Sequence, residues 1–107
     1  MTERVLGDIA TNLLFENERV RVWEMRLDPG DRSAVHEHTL DYVMVQISGD
    51  TMAAEMEPDS GGPWGHLGTV EGDVSPGNVI YAERGGIEAA VNNGKQPFHE
   101  IVVELKD

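Results

Sequence analysis

Turn-forming residues recur about every 8–12 positions along this chain, and no stretch of about 12 or more residues carries helical periodicity. The turns are Asp28-Pro29-Gly30-Asp31, Ser48-Gly49-Asp50, the loop from Pro58 to Pro63, Glu71-Gly72-Asp73, Ser75-Pro76-Gly77-Asn78, Gly85-Gly86 and Asn92-Asn93-Gly94. Between them lie short extended runs at 13–15, 20–27, 34–38, 42–47, 51–57, 79–82, 87–91 and 98–105. Residues 64–70 are less regular. Run 20–27 changes phase: Val20 and Val22 alternate one way, then Trp23, Met25 and Leu27 the other, as a bulge or burial on both faces would require. Many short strands between regular turns predict an all-β sandwich or barrel.

The chain has 107 residues, enough for one domain, 1–107, with a modest core. It carries 20 Asp+Glu against 8 Lys+Arg, a net charge of −12. Such a surface repels phosphate backbones and anionic lipid, so no nucleic-acid or membrane partner is expected. The absence of cysteine excludes disulfides, thiolate metal sites and a Cys nucleophile. Met1-Thr2-Glu3-Arg4-Val5-Leu6-Gly7 holds no apolar run of signal-peptide length, and no segment approaches the roughly 18 apolar residues of a membrane span. A soluble cytoplasmic protein is expected.

The residues that carry chemistry begin at His36-Glu37-His38. In an extended segment residues two apart share a face, so both imidazoles point the same way and can occupy adjacent positions on one metal ion. An isolated pair at this spacing is a weak signal, and its surroundings strengthen it. Gly30 precedes His36 by six residues, and a strand then leads to Gly49. Further on stand Gly77, Gly85, Glu88 and Asn92.

Those two constellations resemble the paired motifs of the cupin superfamily, Gly-x5-His-x-His-x3,4-Glu-x6-Gly and Gly-x5-Pro-x-Gly-x2-His-x3-Asn, over nearly the whole chain. The resemblance implies a small jelly-roll β-barrel with a metal in its mouth. His36 and His38 match the family's two first-motif histidines. The family's Glu position falls on Tyr42, beside Asp41, and its last His falls on Glu88. A one-residue slip places it on Ala89 instead, with Asn93 closing the motif. The Glu88 alignment keeps the Gly77 spacing. It implies a metal set of His36, His38 and Glu88, similar in type to a two-His-one-carboxylate triad. The ion that the resemblance implies is a divalent Fe, Mn, Ni, Cu or Zn.

Glu88, in a partly apolar barrel, is also a candidate catalytic base, and Tyr42 a candidate for backing the metal ligands or facing substrate rather than for a fourth ligand. His66 is expected at the surface. His99, in phase with Ile101, Val103 and Leu105, is expected to be a buried, hydrogen-bonded structural histidine. Trp23 and Trp64 read as core or interface residues, and Met25, Met44, Met52 and Met56 as core filler that can also line an adaptable pocket. Glu37 and Asp41 are expected on the face opposite the histidines. The expected function is metal-dependent chemistry on a small organic molecule, of oxygenase, isomerase or lyase type. The alternative is a non-catalytic small-ligand binder without metal. A homodimer is also expected, since cupins often dimerise and a small barrel leaves apolar sheet faces to cover.

Overall fold

The computed structural model describes residues 4–107, so Met1-Thr2-Glu3 of the N-terminal reading lies outside the described residues. Two antiparallel sheets face each other. The first holds β1 (Asn12–Glu16), β2 (Val20–Leu27), β9 (Phe98–Leu105), β4 (Tyr42–Ser48) and β7 (Val79–Ala82), in that spatial order. The second holds β3 (His36–Glu37), β8 (Ile87–Val91), β5 (Thr51–Met56) and β6 (Thr69–Asp73). The all-β expectation is met. Among the described residues there is no α-helix, and no helix long and apolar enough to cross a membrane.

Alternation along each strand divides inner from outer face. On β9, Phe98, Glu100, Val102 and Glu104 are buried, and on β2 so are Trp23, Met25 and Leu27. With Tyr42, Ala82, Ile9 and Ala10 these apolar side chains form the core. Each large one contributes about 1.5–3 kcal/mol by leaving water.

The phase change in 20–27 comes from burial on both faces. β2 runs along β9 without a register shift, and the bulge lies opposite it in β1, between Leu13 and Phe15. Cross-strand pairing then aligns Phe15, Val22, Val103, Val43 and Tyr81 in one row across the outer face of all five strands.

Two expectations are corrected. Glu71-Gly72-Asp73 is not a turn but part of β6, an exposed edge strand paired only with β5, where Gly and acidic residues are tolerated. Run 34–38 shortens to His36–Glu37, because β8 offers a regular partner only there; upstream, Arg32 makes an isolated bridge to Val91.

Candidate metal centre and cavity

His36 stands directly across from Glu88 on the β3–β8 ladder. His38 is fixed one step further by two backbone bonds: its N–H donates to the Gly86 carbonyl at 2.8 Å, and Gly85 N–H donates to the His38 carbonyl at 2.8 Å. Gly85 holds φ at +114°, and a Cβ there would lie 2.9 Å from the Gly62 nitrogen, so only glycine fits this clamp. The motif glycine therefore acts on His38 through the backbone.

The alternation argument holds. His36, His38 and Glu88 are buried, at 2, 4 and 8% exposure, and one ligand-type atom from each lies within 4.8 Å of the other two. Glu88 pairs with His36 and reaches His38, whereas Ala89 is buried without a polar group to offer. His36 Nδ1–H donates to the Ala34 carbonyl at 2.9 Å, which leaves the Nε2 lone pair as the ligand position. Burial, and then the neighbouring His38, hold the His36 pKa below its ordinary value, so the ring is neutral, the form that binds metals. His38 Nε2–H donates to Glu88 Oε1 at 3.0 Å, and His38 Nδ1 is buried without a partner. A separation of 3.0 Å also suits two adjacent ligand atoms, each about 2.1 Å from one ion. The donor set fits a divalent ion.

These residues form one wall of a cavity of about 210 Å³ between the sheets. The facing wall carries Glu100 and Gln46, and Met25, Met44, Met52, Trp64 and Phe98 supply apolar surface. Tyr42 does not line it. Its ring stacks behind His38, with centroids 3.9 Å apart and planes at 12°. Burial, then the charges of Glu88 and Glu100, push the Tyr42 phenol well above its ordinary pKa, so it stays protonated.

His66 is exposed, as expected. His99 is half-buried on the outer face, 3.0 Å from Glu24, rather than in the core. Glu37 is exposed, and Asp41 caps Arg84. Trp64 lines the cavity beside the 3-10 turn Gly65–Leu67.

No protein-family model matches the chain, and no curated protein matches it. Solved structures do. A cupin domain from Bordetella pertussis is 25% identical, covering 99% of this chain and 100% of its own, with a TM-score of 0.76. An RmlC-like cupin with a double-stranded β-helix fold from Methanocaldococcus jannaschii is 19% identical over 99% and 93%, with a TM-score of 0.70. The chain is a small cupin in fold. The polyketide cyclase RemF from Streptomyces resistomycificus is also similar, at 18% identity over 85% of this chain and 57% of its own, with a TM-score of 0.58.

Within the cupin barrel, the first-motif Glu position is filled by a phenol that backs His38, and the last His position by a carboxylate that touches it. Sequence reasoning missed Glu100 as a cavity residue. The available signal was its parity with Phe98 and Val102, an acid between two core positions.

Proposed function

We propose that this cupin binds a divalent metal through His36, His38 and Glu88 and acts on a small organic molecule in the adjoining cavity. The observation that carries the reading is the convergence of two neutral-capable imidazoles and a carboxylate on one cavity wall. A bound Fe, Mn, Ni, Cu or Zn ion supplies Lewis acidity and, with only three protein ligands, positions open to substrate or oxygen. The chain's own residues supply the rest. Ala34 orients His36, Gly85 and Gly86 hold His38, and Tyr42 packs behind the His38 ring. Glu88 accepts a hydrogen bond from His38 Nε2–H when it is not a ligand. The fold is shared with a polyketide cyclase, which supports, without specifying, an enzymatic role of oxygenase, isomerase or lyase type.

Loading the purified protein with each ion in turn, followed by metal analysis, tests this reading. One ion per chain is expected, and none in His36→Ala or His38→Ala. Failure to retain any ion overturns it. The His38–Glu88 hydrogen bond favours a second reading, a metal-free ligand-binding barrel, because the two groups already satisfy each other. That reading predicts ligand binding unaffected by chelators.

The homodimer is proposed on the outer row Phe15, Val22, Val103, Val43 and Tyr81, whose ends, Phe15 and Tyr81, are 54 and 57% exposed. A five-stranded apolar face suits sheet-on-sheet packing about 10 Å apart. Light scattering is expected to give a dimer for the wild type and a monomer for Tyr81→Glu; a monomeric wild type overturns the proposal.

A further inference from the structure

The cavity wall facing the histidines has its own polar pair. Glu100 sits on β9 between Met25 on β2 and Gln46 on β4, all three directed inward. Its carboxyl is buried and makes no side-chain hydrogen bond among the described residues. Gln46 is oriented by its carbonyl oxygen, which accepts from the Ser75 N–H at 3.1 Å and the Asn78 side-chain amide at 3.2 Å. That leaves the NH2 group of this cavity-lining side chain as a donor. Burial, then the Glu88 charge, raise the Glu100 pKa to about 8, so its carboxyl is a neutral O–H donor at pH 7.

The lining contains no lysine or arginine, and the exposed Glu71 and Asp73 border it. An anionic ligand would meet no protein cation here and would pass two carboxylates. Most of the wall is methionine, aromatic and aliphatic.

We infer that Glu100 and Gln46 form a second polar subsite that takes the carbonyl oxygen of an uncharged, mainly apolar ligand, and that Glu100 is its principal donor. The inference rests on the reading of this cavity as the binding site and is drawn for its metal-free form, in which the lining carries no cation. Size agrees: an apolar cavity of about 150 Å³ already admits benzene, and this one is about 210 Å³. Glu100 here is a specificity residue.

The test uses metal-free protein, prepared with a chelator, and three probes of one shape: acetophenone, benzoate and benzylammonium. Acetophenone is expected to bind at least tenfold more tightly than either ion at pH 7. Its carbonyl stretch, read by infrared difference on the 13C-labelled ketone, is expected to shift to lower frequency on binding. Glu100→Leu is expected to weaken acetophenone about tenfold and abolish the shift, since one hydrogen bond is worth about that factor. Glu100→Gln, which keeps a donor of the same shape, is expected to retain both. Benzoate or benzylammonium binding as tightly as acetophenone overturns the inference. So does a carbonyl shift unchanged in Glu100→Leu, or no binding of acetophenone at millimolar concentration. Metal retention, measured separately on the same variants, reports on the opposite wall, so the two readings fail independently.

Discussion

Glu100 and Glu104 lie one turn of alternation apart twice over, on the same strand and the same inner face, and both are buried. Their surroundings differ completely. Glu104 accepts from Arg21 Nε at 2.8 Å and from the Trp23 indole N–H at 2.6 Å. Both bonds fall on Oε1 and tie β9 to β2, while Oε2 is buried without a partner. Glu100 has no such partners and faces the cavity. One end of the barrel spends its buried carboxylate on holding two strands together. The other leaves a carboxyl unpaired where a ligand can reach it. Burial alone does not tell structure from function; the partners do.

The largest expected effect breaks the paired end. Glu104→Ala strands the buried Trp23 N–H and leaves Arg21 without its acceptor, so urea denaturation is expected to show a loss of roughly 3 kcal/mol, tempered because Arg21 is partly exposed.

At the cavity end, Gly85→Ala forces a side chain into a left-handed backbone and against Gly62. About 2 kcal/mol of stability is expected to go, together with weakened metal retention as His38 loses its clamp.

Glu100→Gln is expected to act in the opposite direction. In the folded protein Glu100 keeps its proton up to about pH 8, while the unfolded chain releases it near the ordinary 4.5. The folded state therefore binds the extra proton between those values, and stability falls as pH rises through that window, by at most about 1.4 kcal/mol per pH unit. Metal-free Glu100→Gln is expected to lose this slope and to be more stable than wild type at pH 8, as read by urea midpoints from pH 5 to pH 8. The smallest effect is the control: Arg32→Ala, which removes an exposed ion pair to Glu55, is expected to change stability by less than about 0.5 kcal/mol.

Much of this was legible in the sequence. Strands β2, β7, β8 and β9 fall on the runs read from alternation and turns, because their pattern and their pairing agree. The grouping of His36, His38 and Glu88 was legible through the resemblance to the cupin motifs, in which the Gly77 spacing favours Glu88, the residue that pairs with His36, over Ala89. Other features needed the tertiary structure. Both faces of the five-stranded sheet are apolar, so His99, with Ile101 and Val103, read as core when it lies on the outer face. β6 read as a turn because an edge strand needs no apolar face. Tyr42 read as a group that either backs the histidines or faces substrate, and only the structure shows its ring stacked on His38.

The central claim, an ion held by these two histidines, is tested most directly by X-ray absorption on the zinc-loaded protein. A chain with a net charge of −12 will attract cations to surface carboxylates, so stoichiometry alone is less telling than ligand type. Scattering from two imidazoles is expected in the wild type, and none in His38→Ala, where any zinc left rests on surface carboxylates. A spectrum of oxygen ligands only, the same in both proteins, would contradict the account.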